Sequence, residues 1–195
     1  MTPPEEEDLL LMRRLTEGED SVLRELMRRW KLPVIRFAYR YLNNTADAHE
    51  VAAETFVKVH RHRDRFRPER AKFSTWLFAI AANEAKMRLR WRRRHPESLQ
   101  EDLSIIDLTE GEGRTPSSEL ELNELGSAIH NATGKLPHEL RATFLLYHLE
   151  GFSYREVAGA LKCSEKAVER RLAKARSNLR IHLQEHWEAQ MLESE

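Results

Sequence analysis

Cysteine is almost missing. Cys163 is the only one in 195 residues, so no internal disulfide can form and packing alone must hold any core. Glycine and proline number 7 each, too few for a chain built on tight turns, and this favours long regular elements. No apolar stretch approaches the roughly 20 residues that span a bilayer. The start, "MTPPEEEDLLLMRR", is acidic, and its only apolar run is Leu9 to Met12, which does not make a signal peptide. No membrane insertion and a cytoplasmic location are therefore expected. No G-x-S-x-G, phosphate-binding glycine loop or CxxC occurs, so catalysis by the chain itself is not expected, nor is a cofactor. Of the nine histidines, His60 and His62 fall on different helix faces. His182 and His186 could share one but have no third ligand, so all read as surface residues and no metal is expected.

Net charge is also absent, at +0, but the balance hides strong segregation. The first 20 residues hold 7 acids and 2 bases, and residues 58–94 carry 13 Lys/Arg against 3 Asp/Glu. Residues 97–124 carry 9 acids against 1 Arg, and residues 153–180 carry 8 Lys/Arg against 3 Glu. Two basic segments flanking an acidic one suggest a polyanion touched at two places. The plainer alternative for any single run is a solvated helix face.

Apolar residues make up 41% of the chain and recur at three and four spacings, so the fold class is all-α. A short amphipathic piece covers 8–16. "DSVLRELMRRWKLPVIRFAYRYL" carries Val22, Leu23, Leu26, Met27 and Trp30, and a new helix is expected to restart at Pro33, with Val34, Phe37, Ala38, Tyr41 and Leu42 on one face. Asn44 or Thr45 can cap the next helix, whose inner face holds Val51, Ala52, Thr55, Phe56 and Val59. Residues 63–72 form a loop around Pro68, and Ser74 is expected to cap the helix that follows. Residues 95–118, acidic and punctuated by Pro96, Gly111, Gly113 and Pro116, read as a linker too long to sit structureless inside one domain. The chain thus divides into two small helical domains, 1–94 and 119–186, joined by the linker 95–118 and followed by a tail, 187–195. In the second half Leu120, Leu122, Leu125 and Ile129 line one helix. A second helix starts near Pro137 and turns Leu140, Phe144, Leu145 and Leu149 inward.

"SYREVAGALKCSEKAVERRLAKARSNLR" carries the clearest local motif. Ser153 and Glu156 fit a capping box, Val157 and Leu161 face inward, and Ala158 is small where another helix must cross. Ser164 caps a second helix whose Val168 and Leu172 pack back on the first. Two short helices joined by a tight turn make a helix-turn-helix, whose second helix enters the major groove. That helix offers Lys166, Arg170, Arg171, Lys174, Arg176 and Arg180. One position departs from the usual pattern: the turn holds Lys162 where glycine is common, and lysine takes a left-handed conformation only at a cost.

Taken in order, F-S-T-W-L at 73–77, a basic helix, an acidic linker, L-P at 136–137, the helix-turn-helix and A-R-x-x-L-R at 175–180 resemble the bacterial sigma-70 family, specifically its small extracytoplasmic-function (ECF) group. The resemblance covers nearly the whole chain, with residues 36–94 similar to sigma region 2 and 136–180 to region 4. It implies a transcription initiation factor that binds core RNA polymerase, directs it to promoter DNA and helps melt the −10 element. It also implies an anti-sigma factor as a further partner. For core binding it points to Asp47, Glu50, Val51, Glu54 and Phe56, although His49, Ala52 and Ala53 depart from the family pattern and the family's glutamine is missing. Asp47 and Glu50 equally suit the positive end of a helix.

For the −10 element the resemblance implies Phe66 at a pocket rim and Trp76 as a stacking wedge. Asn83 would bond a base, with Lys72, Lys86, Arg90 and Arg93 beside the strand. Single-strand binding needs this mixture of stacking surface and positive charge. Leu77, Ile80 and Ala81 read as core, as do Phe73 and Phe78; Trp76 suits either role. For the −35 element it implies Arg170 and Lys174 as direct contacts, supported by Arg155, Lys166, Arg171 and Arg176. Glu169 stands where many relatives are basic. It could accept from a cytosine amino group or pair with a neighbouring arginine. The competing reading is a helix-turn-helix regulator that binds duplex DNA without polymerase.

Overall fold

The computed structural model describes residues 5–95 and 116–193, with side chains described for 5–95 and 126–184. Every described element is helical: α1 (Glu5–Thr16), α2 (Leu23–Leu42), α3 (Thr45–Arg61), α4 (Phe73–Arg94), α5 (Pro116–Lys135), α6 (His138–His148), α7 (Tyr154–Leu161) and α8 (Glu165–Glu193), with two short 3-10 turns at Asp20–Val22 and Arg63–Arg65. The linker residues 96–115, the side chains of Leu120, Leu122 and Leu125, and those of His186, Trp187 and Met191 lie outside what is described.

In the first half α2, α3 and α4 pack on one another, and α1 lies across α2. Helix α1 starts at Glu5, earlier than the apolar pattern indicates, because Glu5, Glu6, Glu7 and Asp8 match its positive end and Arg13 and Arg14 its negative end. Asp8 is buried and accepts from Trp30 Nε1 at 3.1 Å, which ties α1 to α2. The expected break at Pro33 does not occur, and α2 runs through it. A mid-helix proline costs about 3 kcal/mol. Trp30, Val34, Ile35, Phe37, Ala38 and Tyr41 are all buried along α2, and each large side chain contributes about 1.5–3 kcal/mol. Burial therefore outweighs the proline.

Asn44 caps α3, accepting from the Asp47 N–H at 2.9 Å. The cap expected at Ser74 lies two residues earlier: α4 opens at Phe73, and the preceding Lys72 makes no side-chain cap bond. Phe73 is pulled into the helix because its ring is buried against Trp30 at 6.1 Å. Phe78 meets Trp30 at 6.1 Å and Phe37 at 5.3 Å, both edge-on.

In the second half α6 and α7 pack on α8, and α5 lies along α8. A small core of Ala132, Leu136, Leu140, Ala175 and Leu179 seals α5 and the start of α6 against α8. Two expected inward residues are corrected: Ile129 is 40% and Leu149 47% exposed, because Ala128 and Ala132 carry the buried face of α5 and Leu149 caps α6 where the chain leaves it. Pro137 is the residue before α6, not its first turn. The capping box of Ser153 and Glu156 is formed, and Ser164 Oγ accepts from the Ala167 N–H at 3.2 Å.

The main apolar cluster is continuous between the halves. Phe152, Val157 and Ala158 join Phe73, Leu77 and Phe78, and the Phe78 and Phe152 rings meet edge-on at 5.7 Å.

Lys162 ends α7 with φ 51° and ψ 51°, and the turn is closed by the Cys163 N–H donating to Ala158 O at 3.0 Å. A left-handed L-residue costs about 1–2 kcal/mol, partly offset in glycine by a more flexible unfolded chain. Lys162→Gly is therefore expected to stabilise the protein by about 1 kcal/mol, or roughly 2–4 °C in the thermal midpoint. An unchanged or lower midpoint in a calorimetric scan would show that lysine bears no such strain.

Candidate nucleic-acid interface

The basic tail of α4 separates into two stripes by helical spacing. Arg88 and Arg92, four apart, turn toward α3. Arg88 Nε lies 2.7 Å from Asp47 Oδ1, Arg92 Nε 2.5 Å from Asp47 Oδ2, and Arg88 also reaches Glu50 at 2.8 Å. Lys58 and Glu84 pair at 2.5 Å farther along the same seam. Lys86, Arg90 and Arg93 form the other stripe and have no acidic partner among the described residues. With Leu89, His138 and Glu139 they line a groove of about 320 Å³. Three cations against the one carboxylate of Glu139, which is itself paired with Arg171, raise the local positive potential, which favours a phosphate backbone.

Asp47 is buried in the first turn of α3, so its carboxylate serves both the helix dipole and the two arginines. Glu50 and Glu54 are exposed. The expectation that Val51 and Phe56 offer apolar surface is corrected: they are 3% and 2% exposed, packed inward. The apolar residue on the outer face of α3 is Val57, 45% exposed beside Ala53 and Glu54. Sequence reasoning missed it, although it falls out of phase with the inner residues Val51, Thr55 and Val59.

Phe66 is corrected in the same way. It is 8% exposed, with its ring 6.1 Å from Phe73 and 5.4 Å from Trp76, so it packs beneath Trp76 and is not an open rim. Trp76 is half-buried, leaving part of the indole at the surface. Lys72 is exposed and pairs with Glu156 at 3.3 Å and Glu5 at 3.6 Å. Asn83 is exposed, its amide nitrogen donating to Ala79 O at 2.8 Å, and it shares a small cleft with Lys86, His138, Glu139 and Arg171. Asn83 and the Lys86 stripe thus face α6 of the second half.

On α8, Val168, Leu172, Ala175 and Leu179 are buried, which turns Lys166, Arg170, Lys174 and Arg176 to solvent. Arg155 on α7 is also exposed. Arg171 differs from these. It is half-buried and pairs with Glu139 at 2.8 Å, bracing α8 on α6.

Between the halves stands Arg141, 7% exposed. It donates Nη1 to Tyr41 O of α2, and Nη2 to Gly134 O and to Leu136 O, the last at 3.0 Å. His130 stacks on Tyr39 with ring centroids 5.0 Å apart and bonds the Asn43 side chain. Glu150, Phe152 and Glu156 face Glu5, Asp8, Trp30 and Lys72 across a cavity of about 310 Å³. Burial pushes the Glu150 carboxyl up to about 7, with Arg40 pulling it partly back. Among the described residues no three His, Cys, Asp or Glu are placed to hold a metal, and no helix is long and apolar enough to cross a membrane.

The fold and its surfaces define an all-helical DNA-binding protein with two basic faces on separate halves. Residues 26–95 match the family model for sigma-70 region 2, and residues 127–179 that for sigma-70 region 4. The chain is 31% identical over 182 residues to the ECF RNA polymerase sigma-E factor of Haemophilus influenzae, covering 91% of this chain and 95% of that one. It is 28% identical over 185 residues to the RNA polymerase sigma-H factor of Pseudomonas aeruginosa, covering 92% and 95%. Among solved structures it is similar to CnrH in complex with the cytosolic domain of CnrY, with a TM-score of 0.64 and 27% identity over 90% of this chain and 96% of that one. The chain belongs to the ECF group of the sigma-70 family, and it is a transcription initiation factor that acts with RNA polymerase.

A carboxyl whose folded-state pKa is raised stabilises the packed form at low pH and loses that contribution as pH rises through the folded value. For Glu150 the window runs from about 4.5 to about 7. Asp8, raised by burial, acts in the same direction, while Glu156 is held low by Ser153 and Lys72 and acts in the opposite one. Glu150→Gln isolates the Glu150 contribution. Relative to this variant, the wild-type thermal midpoint is expected to fall between pH 5 and pH 7.5, and parallel profiles would show that Glu150 does not titrate there.

Proposed function

We propose that the two halves divide promoter recognition. The stripe of Lys86, Arg90 and Arg93, with Asn83 and the open part of Trp76, holds the melted −10 strand, Lys72 lying at its edge. Lys166, Arg170 and Lys174 on α8 meet the −35 duplex, with Arg155 and Arg176 on neighbouring phosphates and Arg171 setting the pose of the helix through Glu139. The outer face of α3, with Glu50, Glu54 and Val57, docks on core polymerase. Residues 1–94 act as the −10 and core-binding unit, the linker 95–118 as the tether, and residues 119–186 as the −35 unit, all in the cytoplasm and without chemistry of their own. The observation that carries this reading is that Lys86, Arg90 and Arg93 form no ion pair among the described residues, while Arg88 and Arg92 on the same helix are paired.

Because His138 and Glu139 roof that stripe, a strand entering it requires the halves to part. Binding of core to α3 and of DNA to α8 supplies the free energy for parting. CnrH, similar over nine-tenths of this chain, is solved with the cytosolic domain of CnrY. By that likeness this chain also takes a protein partner, which the family resemblance makes an anti-sigma factor.

Co-purification with core polymerase and run-off transcription test the scheme. Asn83→Ala is expected to retain core binding and to slow open-complex formation; unchanged opening would remove Asn83 from the pocket. Arg170→Ala is expected to cost about 1–3 kcal/mol in upstream recognition with core binding intact. Each Ala replacement at Lys86, Arg90 or Arg93 should lower the salt slope of strand binding by roughly 0.7. Tight binding to duplex DNA with no affinity for core would instead favour a regulator that works alone.

A further inference from the structure

Glu169 is the one carboxylate in the middle of the DNA-facing helix, and the structure removes each structural role open to it. It is exposed, so it packs no core. It makes no hydrogen bond or ion pair with any described residue, although Lys166 lies three residues before it and Arg170 beside it. Pairing at this spacing is available elsewhere in the protein, as Glu25 and Arg28 show at 2.6 Å. The arginine on its other side, Arg171, is held by Glu139 at 2.8 Å. Nor does Glu169 serve the helix dipole. Glu165 fills the first turn of α8, and the dipole's effect falls off beyond that turn.

With inward and lateral roles removed, the outward one remains. Lys166, Glu169, Arg170 and Ala173 are spaced by three, four and seven, so they form one surface patch on the N-terminal half of α8. A helix-turn-helix directs that part of its second helix at base edges. There a carboxylate, which only accepts, meets repulsion from N7 and O6 of guanine, from O4 of thymine and from N7 of adenine. Cytosine alone presents an amino donor with no acceptor of its own in the major groove. Beside phosphates a carboxylate is otherwise a net loss, so this residue favours binding only when that donor is present. The flanking Lys166 and Arg170 supply the attraction that keeps the helix on the duplex.

We propose that Glu169 is a specificity-determining residue that accepts a hydrogen bond from the N4 amino group of one cytosine in the upstream promoter element and rejects guanine and thymine there. The proposal rests on the assignment of α8 to the −35 element.

The test uses the full chain reconstituted with core RNA polymerase and a promoter library randomised across the upstream element. Preference at each position is compared for wild type, Glu169→Ala, Glu169→Gln and Arg170→Ala. Wild type is expected to select cytosine at one position by roughly 5- to 150-fold. Glu169→Ala should flatten that position alone, and Glu169→Gln should shift it toward adenine, whose N6 and N7 suit an amide. Arg170→Ala should disturb a different position. Preferences unchanged at every position in Glu169→Ala would overturn the proposal while leaving the −35 assignment standing. So would a uniform gain in affinity for all sequences, which marks plain repulsion from phosphates. A wild-type holoenzyme with no preference anywhere in the upstream element would overturn the assignment and the proposal together.

Discussion

Helix α4 has to satisfy three neighbours at once, and Phe78 is where those demands meet. Its ring sits edge-on to Phe37 and Trp30 of α2 and to Phe152 of the second half. Leu77, Ala81 and Ala85 bury the rest of that face. The small residues let α2 and α3 come close, and a close approach is what brings Arg88 and Arg92 within 2.7 Å and 2.5 Å of Asp47. The rotation of α4 about its axis is therefore fixed by aromatic packing near its start. That rotation then decides which cations near its end are paired and which are left facing the second half. Packing and recognition are not separate properties of this helix.

The electrostatics follow from the same geometry. A net charge of +0 says nothing about where charge is left unneutralised. Asp47, buried and shared by two arginines, turns two cations into structural ties. Such pairs hold orientation more than they add stability, because desolvation cancels much of the attraction. In the second half Glu139 does the same to Arg171. What remains outward is a subset of the basic residues on each half, and these subsets define the two faces on which a polyanion can lie.

The helical class, the helix-turn-helix and its caps were legible in the sequence because each depends on local chemistry. Ser153 with Glu156, Ser164, Asn44 and the strained Lys162 all act within a turn of their own position. The stripe of Lys86, Arg90 and Arg93 was legible for the same reason, since spacing alone puts them on one side. What failed needed tertiary knowledge. Pro33 reads as a helix start until the burial of Trp30 and Val34 on one continuous face is known. Phe66 reads as a surface contact by family analogy, and so do Val51 and Phe56, although helical spacing already sets those two on the inner face of α3; all three fill the core. Phe152, four residues past the end of α6, gives no local sign that it will meet Phe78 across the molecule. Arg141 gives none either, because its partners are carbonyls five and seven residues back or in the other half.

The seam between the halves has the composition of an interface that can come apart. Its central polar group is a guanidinium whose two terminal nitrogens donate to carbonyl oxygens, with a histidine on a tyrosine ring and a lysine bridging Glu5 and Glu156, and its apolar part is Phe152, Val157 and Ala158 packed on Phe73, Leu77 and Phe78. The polar groups there can exchange their partners for water, so the cost of separation lies mainly in exposing Phe152 and the apolar side chains packed with it. Each large side chain so exposed costs about 1.5–3 kcal/mol. That cost holds the halves together in the free chain, and only the free energy of a macromolecular interface, after the cost of association, is of a size to offset it. Under the proposed division of roles, such a seam makes access to the Lys86 stripe conditional on binding elsewhere. The proposed α3 and α8 surfaces would then be coupled through an equilibrium between packed and parted halves, without any movement inside either half.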